Sequence, residues 1–215
     1  MPAVASKLKF KSKSLYSVHP GVAMIQKWIA ELAQKTGRSL EQWIALARES
    51  GPATEKDCRE WLKREYQLGT NSAWWIAERA VGKDQGDGDG DPEAYLRAAD
   101  AYVEAMFSGK KAALRPLYDQ LLKSGLRLGK DVKACPCKTI VPLYRNHVFA
   151  QIKPTTNTRI DLGFALGDRK APKRLIATGG YAKGDRITHR IEITKSSDID
   201  NEVKRWMEIA YRLDA

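Results

Sequence analysis

The sequence has 215 residues, which is enough for two small domains. Hydrophobic residues make up 43% and charged residues 29%, as in soluble globular proteins. It contains no apolar run long enough to span a membrane and no apolar signal segment, and its three cysteines cannot all pair with one another. These features predict a cytoplasmic protein that does not enter a membrane.

Basic residues outnumber acidic ones by 37 to 26, a formal net charge of +11. Residues 1–83 hold 14 basic and 8 acidic side chains, residues 84–129 hold 6 and 8, and residues 130–215 hold 17 and 10. Both ends are therefore basic and the middle is not. A basic surface favours polyanions such as nucleic acid, but it can also serve solubility alone, and the composition leaves both interpretations open.

A lysine-rich stretch, KLKFKSKS, lies near the start of the chain, and residues 1–16 are predicted to form a disordered basic tail. Residues 17–82 are predicted to form a four-helix domain, because apolar residues recur at helical spacing between start and stop signals. Pro20 starts the first helix and Gly37 stops it; Ser39 with Gln42 forms a capping box for the second. Thr54 starts the third helix, and the fourth is expected from Asn71 or Ser72 to Gly82.

The third and fourth of these helices have the outline of a helix-turn-helix, but the fourth carries Trp74 and Trp75 where a recognition helix needs polar side chains. Sequence-specific DNA reading is therefore disfavoured. Neighbouring residues on a helix point about 100° apart, so both tryptophans cannot easily face one small core. We predict that one of them contacts something outside the bundle.

The stretch GKDQGDGDGDPE separates this domain from the rest, and residues 83–91 are predicted to be a solvated Asp/Gly linker. Its alternating aspartates resemble a calcium loop that starts at Asp87. However, Pro92 stands where the loop needs glycine and Ala98 where it needs a bidentate glutamate. No metal site is predicted.

Residues 92–215 are predicted to form an α+β domain, so the fold class is an N-terminal all-helical small domain followed by an antiparallel sheet packed with helices on one face. Two helices come first, and a last helix is expected to be capped by Ser197 with Asp200. Between them the apolar residues alternate, which indicates strands. The predicted strands are Val132–Cys137, Thr139–Leu143, Val148–Lys153, Arg159–Leu166 and Ile187–Thr194.

Cys135 and Cys137 lie two residues apart on a predicted strand, so their side chains should point the same way. Two thiols at this spacing do not match a zinc site, and strand geometry disfavours a disulfide between them. We therefore predict buried or half-buried thiols. No motif pairs a nucleophile with a base, and no cofactor or catalytic residue is predicted.

The strand alternation puts Arg159, Asp161, Arg190 and Glu192 on the sheet face opposite the helices. They are interpreted either as cross-strand ion pairs on a solvated face or as a charged groove for an anionic ligand. The glycine-rich stretch Thr178–Asp185 is expected to form a loop over that face.

Long stretches resemble a known family. SVHPGVAMIQKWIAEL and GTNSAWWIAERA are similar to the N-terminal domain of an uncharacterised bacterial two-domain family, and CKTIVPLYRNHVFAQIKP is similar to its C-terminal partner. The resemblance implies a two-domain bacterial protein and no particular activity.

The leading hypothesis is a binding protein, not an enzyme, that engages nucleic acid or another anionic ligand through a basic sheet face and hairpin. Two alternatives stay open: a small-molecule-binding or catalytic pocket between the sheet and the glycine-rich loop, and a protein-interaction adaptor using the tryptophan-rich helices. The oligomeric state is left open. The predicted binding residues are Lys138, Tyr144, Arg145, His147, Lys153, Arg159, Asp161 and Arg190.

Overall fold

A computed structural model describes residues 15–82, 90–170, 172 and 174–215. All but the last two residues of the predicted basic tail, and residues 83–89 of the predicted linker, lie outside the described residues. The described chain divides into two compact units. We call residues 18–98 the helical unit, and residues 15–17 with 99–215 the sheet unit.

The helical unit contains four helices whose ends follow the signals in the sequence. They are α1 Pro20–Thr36, α2 Leu40–Ser50, α3 Glu55–Tyr66 and α4 Thr70–Ala80. Gly37 ends α1 with a φ of 77°, a conformation that glycine adopts without steric cost. The Ser39–Gln42 capping box is present at the start of α2. The fourth helix starts one residue earlier than the earliest predicted start, after Gly69.

These helices enclose a small core, and the two adjacent tryptophans of α4 have different surroundings. The ring of Trp75 packs edge-on against Trp28 of α1 with a centroid distance of 4.7 Å, whereas Trp74 is 41% exposed. Trp74 is therefore at the surface, and its contact with a partner stays a prediction. The buried core residues are Leu32, Leu40, Trp43, Ala47, Cys58, Leu62, Leu68, Ala73, Ile76 and Ala77.

The described part of the sheet unit has six antiparallel strands in the order β1-β2-β3-β4-β6-β5. Helix α5 begins in the helical unit and ends in the sheet unit, and a 3₁₀ turn at Gly109–Leu114 connects it to α6. The α+β fold class is confirmed. The elements are α5 Pro92–Met106, α6 Arg115–Leu126, β1 Lys133–Ala134, β2 Val141–Tyr144, β3 Val148–Pro154, β4 Ile160–Phe164, β5 Ile176–Ala177, β6 His189–Ile193 and α7 Asn201–Leu213.

One face of the sheet is apolar and is covered by α6 and α7. Alternate residues of β3, β4 and β6, such as Ile152, Leu162 and Ile191, are completely buried there. Gly125 of α6 lies so close to Leu143 of β2 that an added Cβ would stand 2.4 Å from its side chain. We call the opposite face, which carries Lys153, Asp161 and Glu192 side by side, the outer face.

Two details of the predicted secondary structure are wrong. The last helix is capped by Asp200, whose carboxylate accepts a hydrogen bond from the Val203 amide at 3.1 Å. Ser197 instead belongs to a 3₁₀ turn, because Asp198 accepts the Thr194 amide at 2.8 Å and tightens the chain before the helix. The two-residue strand β5 was also missed, since a segment this short and exposed has no detectable alternation.

Candidate functional site

An open cleft of about 450 Å³ lies in the sheet unit where the end of α5, the tip of the β1–β2 hairpin and the end of β3 come together. We call it the lysine cleft. Its floor is apolar, with Met106 and Pro154, and its rim is basic and hydroxylated. The lining residues are Ala105, Met106, Ser108, Lys111, Lys138, Thr139, Lys153, Pro154 and Thr155.

Local backbone geometry brings the three lysines to this cleft. The Cys137 amide donates to the Ile140 carbonyl at 2.8 Å, which closes a tight turn with Lys138 and Thr139 at its tip. The Lys111 ammonium donates to the Pro154 carbonyl at 2.7 Å and is thereby held at the end of β3. Lys153 is exposed on the outer face, one residue before that carbonyl.

The charge of the lining is of one sign. The residues that line the cleft include three lysines and three hydroxyl-bearing residues, and no carboxylate. Like charges gathered around a concave surface raise the local positive potential and attract anions. The Ser108 hydroxyl donates to the Ala105 carbonyl at 2.9 Å and the Thr155 hydroxyl to Asp161 at 2.8 Å, so the lysines are the main hydrogen-bond donors for phosphate oxygens. The cleft is therefore suited to an anionic group.

Next to the cleft, on the outer face, Arg159, Asp161, Arg190 and Glu192 form an ion-pair network, which we call the arginine–carboxylate cluster. Asp161 and Glu192 lie directly opposite each other on β4 and β6, so their charges would repel without the arginines. Nη1 of Arg190 donates to Asp161 Oδ1 at 3.0 Å and to Glu192 Oε1 at 2.7 Å. Nη1 of Arg159 lies 2.9 Å from the same glutamate oxygen.

This pairing stabilises the charged forms of Arg190 and Glu192. The hydrogen bond from Arg190 lowers the pKa of Glu192, and the reciprocal bond raises the pKa of Arg190. The other oxygen of Asp161 accepts the Thr155 hydroxyl at 2.8 Å. Because Thr155 also lines the lysine cleft, the cluster and the cleft are adjacent parts of one surface.

At the other end of β3, the β2–β3 turn carries Arg145 and His147. Nε of Arg145 donates to Asp131 Oδ2 at 2.8 Å, and this bond lowers the pKa of Asp131. The Arg145 guanidinium also stacks over the Tyr211 ring, 4.5 Å from its centroid. This arginine is thus committed to contacts within the sheet unit.

His147 is held by Asp214, a carboxylate only 3% exposed. The His147 amide donates to Asp214 Oδ2 at 2.7 Å, and its ring Nδ1 lies 3.0 Å from Oδ1. Arg186 donates to the same Oδ1 and, through Nε, to the Val148 carbonyl at 2.9 Å. These contacts fasten the turn to the end of α7.

The structure thus separates the predicted binding residues. Lys138 and Lys153 line the lysine cleft, and Arg159, Asp161 and Arg190 lie beside it in the cluster. The β2–β3 turn is roughly 17 Å from the lysine cleft, since Lys153 follows Val148 by five strand positions that each rise about 3.3 Å. Tyr144 is half-buried at that end, and burial raises the pKa of its phenol. Lys138 and Lys153 thus share one cleft, whereas Tyr144, Arg145 and His147 lie at the β2–β3 turn.

The glycine-rich loop borders a second cleft of about 620 Å³. Gly184 and Asp185 from this loop line it together with Gly167 and Asp168. None of the predicted binding residues lines this cleft.

Two family models match the chain. Residues 103–214 match the model described as Domain of unknown function (DUF5655), which covers more than half of the chain, and residues 24–80 match Domain of unknown function (DUF4287). The chain belongs to the DUF5655 family. The predicted resemblance to an uncharacterised two-domain family is thereby confirmed. Among curated proteins and solved structures, none matches the chain.

The DUF5655 match includes the lysine cleft, the arginine–carboxylate cluster and the β2–β3 turn. It also includes Lys111, which sequence reasoning did not select. The sequence shows two adjacent lysines after Gly109, which could have suggested a binding residue. However, only the fold brings Lys111 to the end of β3.

The cysteines occur as free thiols, with Cys58 and Cys135 buried and Cys137 half-buried, as predicted for the C-x-C pair. Burial raises the pKa of Cys135 to about 12 and also raises that of Cys137. Within the part of the chain that the structure describes, no group of three or more His, Cys, Asp or Glu side chains is placed to hold a metal ion, and no helix is long and apolar enough to cross a membrane.

Proposed function

We propose that the DUF5655 part of the chain binds a phosphate-bearing polyanion, nucleic acid, and that the lysine cleft is its anchor. The observation that carries the proposal is the convergence of Lys111, Lys138 and Lys153 on one cleft with an uncharged hydroxyl rim. A lysine ammonium acts as a compact point charge toward phosphate. The net excess of positive charge in residues 130–215 supports the same ligand class.

Contacts of this kind position a ligand without reading its sequence. Lysine ammonium groups bind phosphate oxygens, which are the same at every nucleotide. The lysine cleft has no aromatic side chain in its lining on which a base could stack. We therefore expect binding that depends on salt and is largely independent of sequence.

The proposal revises the predicted site. It keeps Lys138 and Lys153, adds Lys111, and treats Arg145 and His147 as residues that hold the β2–β3 turn. It assigns binding and no catalysis. A cytoplasmic location and a bacterial origin remain part of the proposal, and the free thiols agree with a reducing compartment.

The test is a titration of fluorescent single-stranded and duplex oligonucleotides with the full chain, followed by anisotropy at low salt. Lys111→Gln and Lys153→Gln should each weaken binding, and the slope of log affinity against log salt should fall by about 0.7 to 0.9 per lysine. Lys204→Gln on α7 removes the same charge away from the cleft and should have little effect. An equal loss with all three variants, or no binding by the unaltered chain, would overturn the proposal.

A second candidate function is favoured by one observation in the helical unit. Trp74 is 41% exposed, and an exposed tryptophan is characteristic of protein-binding surfaces. We propose this adaptor role as the alternative. A sedimentation or light-scattering measurement of self-association, lost in Trp74→Ser, would support it; the same behaviour in both proteins would count against self-association through Trp74.

A further inference from the structure

The two arginines of the arginine–carboxylate cluster have more hydrogen-bond donors than their carboxylate partners use. Each guanidinium carries five N–H donors. Arg190 directs a single nitrogen, Nη1, to both carboxylates. The buried Nε of Arg159 lies 3.0 Å from Asp161 Oδ1 but makes no hydrogen bond within the described chain. The hydrogen bonds from Arg190 to the two carboxylates use one of its three nitrogens, which leaves donors for an added anion.

The two carboxylates are not held equally. Asp161 is on the more buried side, with 14% of its side chain exposed, and Thr155 donates to its second oxygen. Glu192 is 38% exposed and lies at the solvent side of the cluster, where its described side-chain contacts are with the two arginines. Replacing Glu192 with an incoming anion should therefore cost less free energy than replacing Asp161.

We propose that Arg159 and Arg190 form a second phosphate subsite, which the Glu192 carboxylate occupies in the free protein. This inference rests on the proposed function and says where the bound nucleic acid continues beyond the lysine cleft. Lys153 of the lysine cleft lies directly opposite Asp161 in the β3–β4 register, and Thr155 contacts both sites. A nucleic-acid backbone anchored at the lysines would therefore continue over the cluster.

The exchange needs no change in fold. The two non-bridging oxygens of a phosphodiester accept from guanidinium groups as the two oxygens of a carboxylate do, so a backbone phosphate can take the place of Glu192. Glu192 then turns toward solvent, which its exposure permits. Glu192 acts as an internal competitor, so it weakens binding in the unaltered protein.

The test compares Glu192→Gln with Glu208→Gln by the same salt-dependent anisotropy titration with a single-stranded oligonucleotide. Glu208 pairs with Arg212 at 2.5 Å on α7, so its substitution changes net charge equally and releases an arginine away from the outer face. Glu192→Gln should bind about three- to tenfold more tightly, with a salt slope steeper by about 0.7. Glu208→Gln should bind like the unaltered chain.

The outcomes separate the two proposals. If the unaltered chain binds and Lys153→Gln weakens it, but Glu192→Gln binds no tighter or Glu208→Gln gains as much, only the second subsite is wrong. If the unaltered chain does not bind, the proposed function fails and the subsite with it. As an independent readout in the unaltered chain, the arginine Nε–H NMR signals of Arg159 and Arg190 should shift on adding the oligonucleotide, and unchanged signals at saturation would also overturn the subsite.

Discussion

At the scale of single residues, Asp214 shows how a carboxylate near the end of the sequence organises distant segments. It is 3% exposed, and its oxygens receive the His147 amide and the Arg186 guanidinium. Its backbone carbonyl accepts the Asn146 side chain at 2.9 Å. The contacts of this buried carboxylate together stabilise the fold, because removing it would leave several polar groups without a partner.

We predict that Asp214→Ala lowers the free energy of unfolding of the full chain by about 3 kcal/mol. Urea unfolding followed by circular dichroism measures the loss. Amide hydrogen exchange should accelerate at His147 in particular, since its N–H loses its acceptor.

Asp119→Ala is the matched control for this prediction. Asp119 pairs with Arg115 at 3.0 Å on α6, but its side chain is exposed, so the loss should stay below about 0.5 kcal/mol. Equal unfolding midpoints for Asp214→Ala and the unaltered chain would show that the buried contacts do not stabilise the sheet unit.

At the scale of elements, local signals in the sequence were sufficient for most helices. The Ser39–Gln42 box and Gly37 act within one turn of chain, so they can be recognised without knowing the fold. The alternation in β4 and β6 likewise predicts that Asp161 and Glu192 share one face, and the strand register pairs them. The prediction that Ser197 caps α7 was wrong because Ser197 and Asp200 both match a capping pattern. Ser197 lies in the 3₁₀ turn, so Asp200 is the residue at the start of the helix.

The candidate site was harder to predict from the sequence, because its composition depends on contacts between elements far apart in the chain. The Lys111 ammonium reaches the Pro154 carbonyl across 43 positions. Arg145 looks like a ligand-binding residue in sequence, yet Asp131 and Tyr211 engage it in the fold. Charge alone therefore does not distinguish a binding residue from a structural one.

The packing of α4 on α1 gives a prediction for the two adjacent tryptophans. Trp75 packs against Trp28, whose indole N–H donates to the Ser72 hydroxyl at 2.9 Å. Trp75→Ala in the full chain should therefore cost about 2 to 3 kcal/mol of unfolding free energy, from lost burial and ring contact. Trp74→Ala should cost less than about 1 kcal/mol, because that side chain is exposed.

Urea unfolding of both variants provides the comparison, and each serves as the control for the other. Equal losses would mean that both tryptophans belong to the local core. That result would contradict the surface position of Trp74 and remove the main support for the adaptor role.

At the scale of the whole molecule, the net charge of +11 comes from residues 1–83 and 130–215, which are both basic. In the sheet unit, Arg145, Arg159, Arg186 and Arg190 are paired with carboxylates, so they contribute little to the outward field. The residues that line the lysine cleft include three lysines and no carboxylate. This composition is the reason that we propose the cleft as the anion-binding anchor.

The most direct measurement is an NMR titration of the ¹⁵N-labelled full chain with a short single-stranded oligonucleotide at low salt. We predict that changes in backbone amide chemical shift concentrate at residues 105–111, 138–139, 153–161 and 190–192, and that added salt reverses them. The β2–β3 turn and the exposed side of α7 should change little. Shifts centred on residues 145–147 or on the helical unit, or no shifts at millimolar oligonucleotide, would contradict it.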